Sequence, residues 1–166
     1  MKVALDTSAI NWLADNEELA REFFAARDDG LFETVVTPEA AKEVRDTRDH
    51  ARKRDLERML SHFFPLTPTR VPRFGAVRFG LARVALTEDT DHLAALDFLR
   101  DGQDRNLAAN AGGYRRDVFI TRDGEMSRNK REALELELGG TRVLEPPAFM
   151  HELRRMPTAA RPTNSS

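Results

Sequence analysis

Two short apolar runs, each ending in a polar segment that carries an acid, constrain this chain more than any other feature. Val3, Ala4 and Leu5 run into Asp6, and Val118, Phe119 and Ile120 run into Thr121-Arg122-Asp123. Apolar runs this short, without polar alternation, fit strands buried on both faces of a sheet. The stretches between them carry helical periodicity. Residues 17–28 place Leu19, Phe23, Phe24 and Ala26 on an amphipathic helix, with Gly30 beyond as a stop. A second strand over 32–36 leads to Thr37, a fitting N-cap, and Pro38, a fitting first helical residue. The helix that follows carries Ala40, Ala41, Val44, Ala51 and Leu56 and runs on to Met59 and Leu60. Phe63, Phe64 and Leu66 suggest a brief third strand, cut by Pro65 and Pro68.

Further helices are expected over 73–86, over 90–100, from Asp104 to Ala111 with Gly112-Gly113 as a stop, and over 127–138 with Gly139-Gly140 as a stop. A last strand over 141–144 precedes a short helix introduced by Pro146-Pro147. Strands alternating with helices imply an α/β fold, a three-layer α/β/α sandwich with a central, mostly parallel sheet of four or five strands. The two acid-terminated strands should be central and adjacent. Residues 1–156 read as one domain, and the tail 157–166 (PTAARPTNSS) as disordered.

Composition removes several classes of function. Without cysteine there can be no disulfide, thiolate zinc site, iron–sulfur cluster or cysteine nucleophile. No stretch approaches the roughly 20 apolar residues of a membrane span, and the N-terminus does not read as a signal peptide, so no membrane partner and a cytoplasmic location are expected. The 26 basic residues are balanced by 28 acidic ones, which disfavours nonspecific coating of nucleic acid but allows a local basic rim. P-loop, dinucleotide and serine-hydrolase signatures are absent, and His50, His62, His92 and His151 lack ligand-like spacing.

Four acids remain as site candidates. Asp6 and Asp123 follow strands and open into the crevice at the carboxyl edge of a parallel sheet. Asp104 stands at a helix start, where the dipole favours an anion, and Glu43 lies near the start of its helix with a side chain long enough to reach back. Each has a plainer reading: a strand-end turn for Asp6, an Asp-Gly turn for Asp123, a helix-start acid for Asp104 with Asp101 as its rival, and a charged surface face for Glu43. Four anions share one crevice cheaply only if cations join them, and carboxylates are the hard ligands that Mg²⁺ or Mn²⁺ prefers.

These segments resemble the PIN domain, a family of metal-dependent nucleases that includes the toxins of toxin–antitoxin pairs. The resemblance is carried by VALDTSAI, by Thr37 and Glu43 in VVTPEAAKEV, by DRNLAANA at Asp104, by the hydroxyl-x-Asp triplet of Thr121, Arg122 and Asp123, and by TRVLEPPAFMHEL. It spans residues 2–153. Segment 71–102 is longer than in compact toxin members, and Gly124-Glu125-Met126 replaces the aromatic residue that often follows the last Asp.

The resemblance implies an endoribonuclease acting on single-stranded RNA, with Asp6, Glu43, Asp104 and Asp123 as metal ligands and catalytic residues. Thr121, Thr7 and Ser8 are expected to orient those ligands, and the products to carry a 5′-phosphate and a 3′-hydroxyl. An antitoxin protein and a second copy of the chain are the partners it suggests. Arg45, Arg48, Arg52 and Arg122 are candidates for RNA phosphates, against a solvated helix face as the default. The rival functions are a metal-dependent phosphatase, although Thr7-Ser8 follows Asp6 where an aspartyl-nucleophile enzyme wants a second Asp, and a catalytically silent RNA-binding protein.

Overall fold

The computed structural model describes residues 1–36, 38–63 and 116–156. Strands β1 (Lys2–Leu5), β2 (Glu33–Val36), β3 (Val118–Ile120) and β4 (Arg142–Leu144) form an all-parallel sheet in the order β2-β1-β3-β4. The two acid-terminated strands are therefore the central pair. Among the described residues the helices are α1 (Thr7–Asp15), α2 (Glu17–Asp28), α3 (Pro38–Arg45), α4 (His50–Leu60), α5 (Arg131–Glu137) and α6 (Pro146–Leu153), with a π-helical turn at Glu125–Asn129. Helix α1 packs against α2, α3 and α4, and α2 against α6, whereas the π-helical turn and α5 pack beside β4. The architecture is α/β and compatible with a three-layer sandwich.

The central strands are apolar throughout because both their faces are covered: Val3, Ala4, Leu5, Val118, Phe119 and Ile120 are all buried. On β2, only Val36 is buried and Glu33 is exposed, as an edge strand allows. Phe23 organises an aromatic cluster, with ring centroids 4.9 Å from Phe32, 5.8 Å from Phe149 and 6.4 Å from Phe63. This joins α2, the approach to β2, the end of α4 and α6 in one core. Gly30 closes α2 with a φ of 79°, the N–H of Leu31 reaching Ala26 and that of Gly30 reaching Arg27. Gly139 ends α5 in the same way.

Residues 7–15, to which no element is assigned above, form α1. Three expectations need correction. The long helix through Leu60 is two helices, because the side chain of Asp49 caps a new start by accepting the N–H of Arg52 at 2.9 Å. Phe63 is not in a strand. Its N–H closes a turn on Leu60, and its ring is buried in the aromatic cluster, so an apolar residue there reflects packing and not a sheet. The helix over 127–138 begins earlier and is broken near Lys130, whose N–H bonds to the carbonyl of Glu125 five residues back. Pro38 opens α3 as expected. Thr37, Phe64, Leu66, the helices over 73–86, 90–100 and 104–111, the extra segment 71–102 and the tail 157–166 lie outside the described residues. No helix among the described residues is long and apolar enough to cross a membrane.

Candidate active site

Sheet register brings three polar residues into one row. Leu5 pairs with Val36 and with Ile120, and Ile120 pairs with Leu144. The next residues on β1, β3 and β4 are Asp6, Thr121 and Glu145. The backbone ladder continues into this row: Asp6 N–H bonds to the carbonyl of Ile120 at 3.2 Å, and Thr121 N–H to that of Leu144 at 3.0 Å. The chain departs from β1 toward β2 on one side and returns to β3 on the other. The carboxyl ends of β1 and β3 therefore flank the topological switch point, where open parallel sheets form their ligand crevices.

Asp6 is only 3% exposed. It caps α1, its Oδ1 accepting the N–H of Ala9 at 2.7 Å, which is why a segment beginning Thr-Ser becomes a helix. The Ser8 hydroxyl lies 2.8 and 2.9 Å from its two oxygens, and the fully buried Thr121 hydroxyl donates to Oδ2 at 2.5 Å. Burial outweighs these donors and pushes the Asp6 carboxyl up to about 6, with the nearby Glu43 carboxylate adding to the shift. Asp6 forms no salt bridge among the described residues. Thr7, the first residue of α1, donates its hydroxyl to Oε2 of the half-buried Glu43 on α3. Two consecutive hydroxyl-bearing residues thus serve two different acids.

Thr121 and Ser8 also fasten the segment that carries Asp123. The Thr121 hydroxyl accepts the N–H of Asp123 at 3.0 Å, and the Ser8 hydroxyl accepts that of Arg122 at 2.6 Å. Asp123 is half-buried, and its Oδ1 accepts from the N–H groups of Glu125 and Met126 at 2.8 and 2.9 Å. Its side chain thus caps the first N–H groups of the π-helical turn, and Gly124, between Asp123 and Glu125, is helical with a φ of −71°, so the Asp-Gly pair is not a left-handed turn. Ser127 bonds back to the Asp123 carbonyl through both its N–H, at 2.8 Å, and its hydroxyl, at 2.7 Å.

The described site therefore contains Asp6, Thr121 and Asp123 linked directly, with Glu43 joined through Thr7. Asp104 and its rival Asp101 lie outside the described residues. Among the described residues, no three acid or histidine side chains close on a common point as a metal-binding group. Glu145, absent from the candidates above, follows β4 as Asp6 follows β1. Its Oε1 lies 3.1 Å from the Ser127 hydroxyl and 3.4 Å from Nε of Arg128. The rule that picked out Asp6 applies equally to LEPP. Of the suggested phosphate contacts, Arg52 is occupied elsewhere, bonding Asn11 at 2.8 and 3.1 Å and also Asp15, so it ties α4 to α1. Arg45, Arg48 and Arg122 are exposed, as are His50, His62 and His151.

No family model, curated protein or solved structure matches this chain.

Proposed function

We propose that the chain is a PIN-like, divalent-metal-dependent endoribonuclease that hydrolyses phosphodiester bonds in single-stranded RNA. The observation that carries this reading is the Asp6–Thr121–Asp123 linkage across the carboxyl ends of the two central strands. The same buried hydroxyl holds the carboxylate of Asp6 and the backbone N–H of Asp123, at the switch point of a parallel sheet. Asp6 fits a hard cation in chemistry and in charge: it is a buried carboxylate, raised in pKa by desolvation, beside a second carboxylate and paired with no described cation.

Asp6 and Asp123 would hold Mg²⁺ or Mn²⁺, with Glu43 and Asp104 completing the set. A bound ion of this kind activates water for in-line attack and offsets charge growing on the phosphate oxygens. The protein's own contribution is orientation. Ser8, Thr121 and the Ala9 N–H fix both Asp6 oxygens, Thr7 fixes Glu43, and the turn N–H groups of Glu125 and Met126 fix Asp123. The charge of Asp6 is also sensitive to its surroundings, since a carboxyl near 6 ionises fully only when a cation or higher pH favours it.

Incubation of the wild type, D6N and D123N with single-stranded RNA in Mn²⁺, and in EDTA, tests the reading. Cutting that needs Mn²⁺, leaves 5′-phosphate ends and falls by orders of magnitude in both variants is expected. Cutting that persists in EDTA or in D6N would refute it. Silence of the folded wild type in Mn²⁺ would favour an RNA-binding protein without catalysis. Whether the natural role is that of a toxin is a finer proposal, resting on the family and tested by growth arrest on expression.

A further inference from the structure

The Arg128 side chain folds back over the start of the turn that Asp123 caps. A methyl group on Gly124 would stand 2.7 Å from Nη2 of Arg128, so the missing side chain at residue 124 is what admits the guanidinium. Gly124 and Arg128 are four residues apart, and helical side chains lean toward the N-terminus, which directs the arginine back over Gly124. On its other side, Nε lies 3.4 Å from Oε1 of Glu145, the strand-end residue of β4, which the Ser127 hydroxyl also approaches at 3.1 Å. The arginine side chain is nevertheless 72% exposed. It is a cation held at its Nε by Glu145 and open to solvent at its outer face, on the turn that Asp123 caps.

We infer that Arg128, held by Glu145 and admitted by Gly124, is a substrate-contacting residue that takes a phosphodiester of single-stranded RNA beside the acid site. This rests on the nuclease reading for the choice of RNA, and its geometry is independent of any metal. A polyanion approaching Asp6, Glu43 and Asp123 meets like charge, and a guanidinium on the rim offsets that repulsion while its planar fork donates N–H groups to two phosphate oxygens. Glu145 at 3.4 Å orients the group without burying it. Lysine could supply the charge but not the two-pronged contact.

The test is binding of a fluorescent oligouridylate in EDTA, where cutting is suppressed, measured over a range of salt. R128A should weaken binding on the order of tenfold, as expected for a hydrogen bond to a charged group. It should also flatten the salt dependence by about 0.7 in slope, the value for one phosphate contact on a single strand. R128K should keep the slope and lose part of the affinity. G124A keeps the charge and a helical backbone, since the atom it displaces is the end of a flexible chain; it should weaken binding in the same direction as R128A. R58A removes a comparably exposed arginine, 73% accessible, from the groove between α2 and α4, and should leave affinity and slope unchanged. Equal affinity and slope in R128A and wild type, a loss in R58A as large as in R128A, or no binding by the wild type would overturn the inference. A wild type that binds through Arg128 yet never cuts RNA in Mn²⁺ would overturn the nuclease reading and leave this one standing.

Discussion

Thr121 donates its hydroxyl proton to Asp6 at 2.5 Å and accepts the N–H of Asp123 at 3.0 Å, so one fully buried side chain holds one strand-end carboxylate and the backbone of the other strand-end acid. Its neighbours come from the ends of different strands. The fold therefore has to be complete before the two acids are aligned.

Replacing that hydroxyl by a methyl group separates its two roles from simple packing. T121V leaves the Asp123 N–H without its partner and removes the strongest of the hydrogen bonds that lower the pKa of Asp6. The expected cost is about 1–3 kcal/mol in urea unfolding, with the Asp6 pKa moving further up in an NMR titration. T121S should recover most of both. A T121V protein as stable as the wild type, with Asp6 titrating unchanged, would contradict this account.

Asp6 also fixes the sign of a pH effect. Its carboxyl binds a proton more tightly in the folded chain, at about 6, than at its ordinary 3.8. The stability it contributes is therefore complete below the ordinary value and is lost as pH rises through about 6. Roughly two pH units at about 1.4 kcal/mol each give a swing of about 3 kcal/mol. Asparagine can still accept the Ala9 N–H and removes the titration. In EDTA, the stability of D6N relative to wild type should therefore rise by up to about this amount between about pH 4 and about pH 8. Urea midpoints across that range decide it, and a constant difference would mean that Asp6 is not raised.

The sequence shows strand ends well and helix starts poorly, for a physical reason. Val3, Ala4 and Leu5, like Val118, Phe119 and Ile120, are buried on both faces, and a parallel strand with two covered faces leaves an uninterrupted apolar run. Helix α1 escapes the pattern because its first residues, Thr7 and Ser8, turn their hydroxyls to Glu43 and Asp6. Its stability comes from the Asp6 cap and the burial of Ala9, Ile10, Trp12 and Leu13, which are tertiary effects. The break between α3 and α4 turns on Asp49 acting as a cap within a charged stretch where any acid looks like a surface residue. Of the four acids singled out, Asp6 and Asp123 were legible as strand-end residues. Glu145 meets the same criterion and was masked by the two prolines that follow it.

Arg52 illustrates how a charged run misleads. Its guanidinium bonds the side chain and carbonyl of Asn11 and the carboxylate of Asp15, so its role is to hold α4 against α1. R52A should cost about 1–2 kcal/mol, discounted for partial exposure, and leave oligonucleotide affinity in EDTA nearly unchanged. N11A should cost a similar amount, and the double variant less than the sum, because both changes remove the same contact. A loss of RNA binding in R52A without a loss of stability would reverse this assignment.

Metal binding should be visible as stability before any activity is measured. An ion that binds only the folded chain, at about 100 times its dissociation constant, adds about 2.7 kcal/mol, or roughly 5–10 °C in a domain of this size. Mn²⁺ should raise the melting temperature of the wild type by about that much, and EDTA should reverse it. D6N and D123N are the informative variants because both acids also cap backbone N–H groups, Asp6 at Ala9 and Asp123 at Glu125 and Met126. Asparagine retains those caps, whereas alanine would confound lost ligation with lost helix starts. Both asparagine variants should fold and show little or no shift with Mn²⁺. The gain should also be larger at about pH 7 than at about pH 5, since Asp6 must release its proton to bind the ion and its carboxyl stands near 6. A full Mn²⁺ shift in D6N, or none in the wild type at millimolar Mn²⁺, would remove Asp6 from the ligand set.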